Sequence, residues 1–177
     1  ITFRLKDSSP SSYITKDIIK VGLPASMSII IMSFGQLVFN RILIHFSTDA
    51  VAAYQISGRI DMVIFLPILS ISYTLTTLVG MFFGSARMDK VKHIIYYGLS
   101  CSFMIAVVTS ALVYFTAPKL VLLFTDIPYI QETAVTYLRL MAFVYPFVAI
   151  ALPCGRILQG FGLGMPLLVI TLIRVLL

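Results

Sequence analysis

The stretch VGLPASMSIIIMSFGQLVFN, residues 21–40, carries no formally charged side chain. A helix that crosses a membrane needs about 20 consecutive, predominantly apolar residues. Uncharged stretches recur along the chain at 62–86, 94–118, 140–155 and 157–173. This repetition predicts an all-α fold, a polytopic transmembrane helix bundle. The predicted spans lie near residues 20–46, 52–84, 93–118, 132–156 and 166–177, and the last of them is cut short.

The composition supports the same class of protein. Of the 177 residues, 59% are hydrophobic and 11% are charged, and the mean hydropathy is +1.02. Ordinary soluble domains are about 45–50% apolar and about 25% charged. These values exclude a disordered chain, a nucleic-acid-binding domain and a disulfide-stapled secreted module. Because the chain begins at Ile1 and ends inside an apolar run at Leu177, we expect it to be a fragment.

The basic residues are distributed unequally between the two predicted membrane sides. Lys119 is the only one in the loops of one side. The other side holds eight, namely Arg4, Lys6, Lys16, Lys20, Arg87, Lys90, Lys92 and Arg156. Since Lys and Arg collect in cytoplasmic loops, this bias predicts a multi-pass protein of the cell membrane with a cytoplasmic N-terminal segment.

Charged residues fall within several predicted spans. Arg41, Arg59, Asp61 and Arg139 lie near the outer ends of theirs, and Arg174 lies deeper in the last span. Arg59 and Asp61 are two residues apart and therefore face different sides of one helix. We expect Asp61 to pair across helices with Arg41 or Arg139, either as a structural ion pair or as an outer-side gate. The sequence places no acidic residue near the middle of a span.

The first span also carries an uncharged polar stripe. Ser33, Gln36 and Asn40 share one helix face, and Met32 flanks it. A polar face beside a methionine fits a cavity for varied amphiphilic molecules, because the methionine side chain repacks around different shapes. Hydrogen bonding between helices of the bundle explains the same stripe, so both interpretations stay open.

Four prolines interrupt three of the predicted spans. Pro24 is predicted to mark a helix start, whereas Pro67, Pro146 and Pro153 lie in helix interiors and are expected to kink them. Kinked helices are common in secondary transporters, and they also occur in channels and receptors.

Enzymatic chemistry has no support in the sequence. There is no Walker-type phosphate loop and no nucleophile-elbow motif. His45 and His93 are predicted on opposite membrane sides, and neither Cys101 nor Cys154 has metal-ligand spacing. We therefore expect neither an enzyme nor a resident cofactor or metal.

Several stretches together resemble the MATE (multidrug and toxic compound extrusion) family. GLPAS at 22–26 and VFNRIL at 38–43 are similar to the family's seventh helix, and TDAVAAYQISGRID at 48–61 resembles the entry to its eighth. The likeness continues through FLP at 65–67, TLVG at 77–80, GSAR at 84–87, FTD at 124–126, YLR at 137–139, YP at 145–146 and LQGFG at 158–162.

The resemblance implies one lobe of a two-lobe, twelve-helix transporter. Residues 1–20 would be the cytoplasmic linker between lobes, and residues 21–177 the C-terminal lobe, working with an N-terminal lobe of the same full-length chain. The expected activity is efflux of small amphiphilic, often cationic, drugs or metabolites, driven by sodium or proton antiport through alternating access. Candidate residues of the cavity wall are Met32, Gln36, Asn40 and Tyr145.

The resemblance also bears on the coupling ion. Some family members carry ion-binding carboxylates in the seventh and tenth helices, but the matching regions here contain none. Others hold them in the first lobe, so the sodium ion or proton is expected to bind in the N-terminal lobe, outside this chain.

Two alternatives remain at this point. A lipid-linked saccharide flippase shares the two-lobe plan, and Arg41, Arg59 and Arg139 could supply the cationic cavity that it needs. A non-transporting membrane scaffold subunit would need neither the polar stripe nor the interior prolines.

Overall fold

The computed structural model of the chain describes residues 12–176, and these form five α-helices and no strand. The helices are α1 (Ser12–Phe46), α2 (Thr48–Gly84), α3 (Met88–Leu122), α4 (Pro128–Gly160) and α5 (Met165–Leu176). Four of them, α1 to α4, are long and apolar enough to cross a membrane, and α5 is a shorter apolar helix. The predicted all-α transmembrane fold is confirmed.

The helices extend beyond the predicted spans. The stretch 12–20, interpreted as part of a linker, is helical and continues into α1, while the remainder of that linker, including Arg4 and Lys6, lies outside the described residues. Similarly, α4 begins at Pro128 rather than near 132. An uncharged stretch measures the thickness of the hydrocarbon layer, and a helix continues past that layer into the polar interface. Sequence hydropathy therefore located the spans but not the helix ends.

Local chemistry explains where the helices start and stop. The hydroxyl of Ser47 caps α2 by accepting a hydrogen bond from the backbone N–H of Asp49 at 3.1 Å. Pro128 stands in the first turn of α4, where its missing N–H costs nothing. Gly162 follows α4 with a φ of +80°, a conformation that glycine adopts without steric strain.

The core of the lobe lies where α2, α3 and α4 pack against one another. Small residues allow α2 and α4 to approach closely, because a Cβ at Gly160 would lie 2.8 Å from the carbonyl oxygen of Thr76. The Thr76 hydroxyl also donates a hydrogen bond across the helices to the carbonyl of Arg156 at 3.1 Å. In contrast, α1 packs mainly against α5, and a Cβ at Gly35 would lie 2.9 Å from Val175 Cγ1. The lobe thus consists of a three-helix core with the α1–α5 pair beside it.

The interior prolines change the hydrogen bonding of the helices. Pro24 lies inside α1, so its interpretation as a helix start is wrong. Pro146 has no N–H and cannot bond to the carbonyl of Ala142, four residues earlier. The hydroxyl of Ser110 on α3 donates to that carbonyl instead. The bond supplies a partner that a buried carbonyl needs in a membrane, and it ties α3 to α4.

Candidate functional site

A buried carboxylate links α2 to α4. Asp61 is 9% exposed, and its two oxygens accept hydrogen bonds from different tyrosines. The hydroxyl of Tyr137 donates to Oδ2 at 3.3 Å, and the hydroxyl of Tyr145 donates to Oδ1. A buried carboxylate is costly unless it is hydrogen-bonded, so the two hydroxyls offset part of the cost of placing Asp61 here. We call Asp61, Tyr137 and Tyr145 the carboxylate cluster.

Aromatic rings enclose the carboxylate cluster and continue it towards α1. Phe65 packs edge-on against Tyr145 with ring centroids 5.4 Å apart. Tyr54 packs edge-on against Tyr137 at 5.9 Å, and Phe39 of α1 lies 5.1 Å from Tyr54. Edge-to-face pairs at these separations are favourable arrangements of aromatic side chains. The rings therefore form a continuous packed path from α4 through α2 to α1.

The carboxylate cluster joins two levels of neighbouring helices. Tyr145 is near the middle of α4, within the uncharged stretch 140–155, and Asp61 reaches it from the first half of α2. The expectation that no acidic residue lies near the middle of a span concerns depth in the membrane and stays a prediction.

The prediction that Asp61 pairs with Arg41 or Arg139 is wrong. Tyrosine hydroxyls occupy both carboxylate oxygens, while Arg41, Arg59 and Arg139 are all exposed. The guanidinium carbon of Arg139 lies 5.6 Å from the centroid of the Tyr114 ring on α3. Arg59 and Asp61 do face different sides of α2, as their spacing predicts.

Arg41 lies in an open groove on α1. The groove has a volume of about 390 Å³ and is lined by Leu37, Val38, Arg41, Ile42 and His45. The structure thus leaves Arg41 on the surface of the lobe. An outer-side gate built on the arginines remains a prediction.

Three of the four predicted residues of the cavity wall lie one turn apart along one face of α1. Met32 is 53% exposed and Gln36 is exposed one turn later on α1. Asn40, one turn further, is partly buried and accepts a hydrogen bond from the side-chain amide of Gln55 at 3.4 Å. The hydroxyl of Ser33 returns to the carbonyl of Ile29 at 3.0 Å. We call Met32, Gln36 and Asn40 the α1 stripe.

Tyr145, the fourth predicted residue of the cavity wall, is not on this surface. It is 0% exposed, because the packing of α2 against α4 encloses it and Asp61 binds its hydroxyl. Its assignment to an open cavity wall is therefore wrong for this structure. Tyr137 was missed altogether, although it lies two turns before Tyr145 on α4 and its polar group could have been matched to Asp61.

The described residues contain no group of three or more His, Cys, Asp or Glu side chains that could hold a metal ion. Asp61 is buried, and its oxygens already accept two hydrogen bonds. The site can hold a hydrogen-bonded carboxyl group between helices, but it does not offer the several oxygen ligands that a divalent cation requires.

Comparison with known proteins decides the family. The MatE family model matches residues 24–177. The chain belongs to the MATE family of transporters. It is 28% identical over 160 residues to a probable multidrug resistance protein NorM of Thermotoga maritima, which covers 90% of the chain. It is 29% identical over 139 residues to the multidrug export protein MepA of Staphylococcus aureus, which covers 78% of the chain.

The solved MATE structures show the same arrangement of helices. The chain superposes on a multidrug resistance MATE family transporter in its outward-facing conformation with a TM-score of 0.90 and 29% sequence identity. The match covers 99% of the chain and 40% of that transporter. Of the curated relatives named above, the chain spans about a third of the length, 34% of NorM and 31% of MepA. The five helices thus correspond to one part of a MATE transporter.

Proposed function

We propose that this chain is the C-terminal lobe of a MATE transporter that exports amphiphilic, often cationic, drugs or metabolites from the cell. The observation that carries the proposal is the match of 99% of the chain to a multidrug MATE transporter at a TM-score of 0.90. The two relatives described as a multidrug resistance protein and a multidrug export protein support the substrate class. The transporter would lie in the cell membrane with the N-terminal side of α1 in the cytoplasm.

The α1 stripe would form part of the substrate cavity. In this structure, Met32 and Gln36 are exposed on the surface of α1. An exposed polar face in a membrane protein is expected to meet water or another protein surface rather than lipid. The N-terminal lobe of the same full-length chain would supply that surface, with the cavity between the lobes.

Alternating access would then move the two lobes against each other. Small-residue contacts pack the helices of this lobe closely, so it would move as one body. Rocking of one lobe against the other exposes a fixed site to each side of the membrane in turn. The inward movement of a sodium ion or a proton would drive the export step.

The coupling ion would bind in the N-terminal lobe. Among the side chains whose burial the structure describes, Asp61 is the one buried carboxylate, and both of its oxygens accept hydrogen bonds from tyrosines packed between α2 and α4. We propose that the carboxylate cluster holds the outer half of this lobe together, with Arg41, Arg59 and Arg139 on the surface at that end. An Asp61→Asn variant should therefore still require an ion gradient for export.

Cells that lack their own efflux pumps and express the full-length transporter provide the test. They should accumulate less ethidium than control cells, and a protonophore combined with a sodium ionophore should abolish the difference. A Met32→Trp variant, which fills the α1 stripe, should raise ethidium accumulation. The matched control is Met104→Trp on the exposed face of α3. Equal export by both variants would contradict the placement of the cavity, and export that survives the ionophores would contradict the mechanism.

A further inference from the structure

A second surface feature lies between α2 and α3, away from the α1 stripe. There the two helices enclose a groove of about 590 Å³. Its floor is the contact of Leu75 with Gly98, where an added Cβ would lie 2.6 Å from Leu75 Cδ2. Only a glycine therefore lets the Leu75 side chain settle against α3 and leave the space above it open.

The walls of the groove are apolar in character. Leu78, Ile94 and Ile105 line it directly. Ser70 and Thr74 also line it, but the hydroxyl of Ser70 donates to the carbonyl of Leu66 at 2.9 Å, and the hydroxyl of Thr74 donates to that of Ser70 at 2.9 Å. Since both of these hydroxyl donors are used within α2, the α2 wall offers little to a polar ligand and much to a hydrocarbon chain.

The length of the groove fits one leaflet of a bilayer. On α3 it extends from His93 to Ile105, which corresponds to about 18 Å at the rise of an α-helix. One leaflet contributes about 15 Å of hydrocarbon. A single acyl chain lying parallel to the helices would therefore fill the groove from the loop end towards the membrane centre.

Basic side chains stand at the loop end of the groove. Lys90 precedes Ile94, Tyr97 and Cys101 at helical spacing, so it continues the line of groove residues on α3 towards the α2–α3 loop. Lys90 is exposed, and so is Arg87 at the start of the helix. His93 lines the groove itself.

The remaining charged groups of this helix turn are Asp89 and Lys92. Asp89 is the acidic residue in the first turn of α3, and Lys92 projects from a different face of the helix, so the loop end carries an excess of positive charge. Basic clusters beside a membrane-spanning helix attract anionic lipid head groups.

We propose that this groove binds an anionic phospholipid, with one acyl chain between α2 and α3 and the phosphate beside Lys90 and Arg87. The apolar walls select the hydrocarbon chain, and the basic loop end selects the charged head group. The contact would anchor the α2–α3 pair to the bilayer while the lobe moves. It is a site separate from the substrate cavity and does not depend on what the transporter exports.

Native mass spectrometry of the purified full-length transporter tests the proposal, with phosphatidylglycerol and phosphatidylcholine of identical chains as probes. Wild-type protein should retain phosphatidylglycerol preferentially. Lys90→Gln should weaken that retention about fivefold, the effect expected for loss of one basic charge near the lipid surface. Lys92→Gln removes the same charge from a different face of α3. It is the matched control and should retain the lipid as the wild type does.

A second pair of variants tests the groove itself. Thr74→Trp fills the groove and should reduce retention of both lipids, whereas Thr77→Trp, an exposed position on α2 outside the groove, should not. Thermal unfolding establishes that all four variants are folded. Equal retention of the two lipids by the wild type, equal effects of Lys90→Gln and Lys92→Gln, or no effect of Thr74→Trp would each overturn the proposal. The last result would be expected if another part of the protein covers the groove.

Discussion

Removal of a single hydroxyl from the carboxylate cluster should destabilise the transporter measurably. Tyr145→Phe keeps the ring that packs on Phe65 at 5.4 Å and deletes only the donor to Asp61. Because Tyr145 is 0% exposed, no water replaces the lost donor. Tyr137→Phe removes the other donor, whose bond is longer at 3.3 Å and whose side chain is only partly buried. The two substitutions form a matched pair at one carboxylate.

The expected magnitudes follow from these differences. Hydrogen bonds between transmembrane helices contribute about 0.6 kcal/mol on average and about 1.7 kcal/mol at most. The bond from Tyr145 joins a fully buried donor to a carboxyl oxygen, so it belongs at the upper end, near about 1.5 kcal/mol. The bond from Tyr137 belongs near the average, at about 0.5 kcal/mol. Tyr145→Phe should therefore lower the free energy of unfolding by more than Tyr137→Phe.

Equilibrium unfolding of the purified full-length transporter in mixed micelles, followed by far-ultraviolet circular dichroism, measures both effects. Combining Tyr145→Phe with Asp61→Ala, which removes both acceptor oxygens, completes a double-mutant cycle that isolates the coupling between the two side chains. The reasoning is refuted if the Asp61–Tyr145 coupling falls below about 0.3 kcal/mol, the scatter expected for independent sites. A larger effect of Tyr137→Phe than of Tyr145→Phe would refute the ranking by burial.

Three further predictions concern other contacts. Gly160→Ala would place a Cβ 2.8 Å from the carbonyl oxygen of Thr76, so it should force α2 and α4 apart and lower thermal stability, by about 1–3 kcal/mol as for other overpacked cores. Arg156 stacks over the Tyr73 ring at 4.3 Å and donates to its hydroxyl at 3.0 Å, so Arg156→Ala should cost about 0.5–1 kcal/mol in the same unfolding assay and Arg156→Lys less. Gln36→Leu should alter the relative export of polar and apolar substrates in an accumulation assay without changing thermal stability, because Gln36 is exposed. An unchanged substrate profile would argue against a cavity at the α1 stripe.

The membrane class and the helices were predictable because lipid imposes a simple requirement. A hydrocarbon layer of fixed thickness demands long uncharged stretches, and stretches such as 21–40 and 94–118 meet it without reference to any other helix. The different faces of Arg59 and Asp61 were predictable for a similar reason, since the geometry of one helix fixes them. The ends of α1 and α4 were not, because polar residues continue a helix as readily as apolar ones once it leaves the lipid.

The partner of Asp61 could not be predicted, because it depends on how two helices are packed. Opposite charge favoured Arg41 or Arg139 as the partner. The charges in a sequence do not determine how α4 is rotated against α2, and that rotation decides which side chains meet Asp61. The packed structure turns Tyr137 and Tyr145 towards the carboxylate and leaves Arg139 beside Tyr114. Tyrosine counts as apolar in a composition, although its hydroxyl can donate a hydrogen bond to a buried carboxylate.

The Ser110 hydroxyl illustrates the same limit from the opposite direction. Because Pro146 has no N–H, the carbonyl of Ala142 lacks its helical partner, and a membrane requires that partner to come from elsewhere. Only the packing of α3 against α4 identifies Ser110 as the donor. Sequence reasoning thus finds the need for an interhelical hydrogen bond more readily than the group that meets it.

Gradient-dependent transport by the purified protein tests the central claim most directly. The full-length transporter would be reconstituted into proteoliposomes, and ethidium movement would be followed while a proton or sodium gradient is imposed across the bilayer. We predict ethidium transport against its concentration gradient only when one of the ion gradients is present, and its loss when an ionophore dissipates that gradient. Uphill transport without any ion gradient, or no ethidium transport with either gradient imposed, would contradict the assignment of this chain to an ion-coupled efflux transporter.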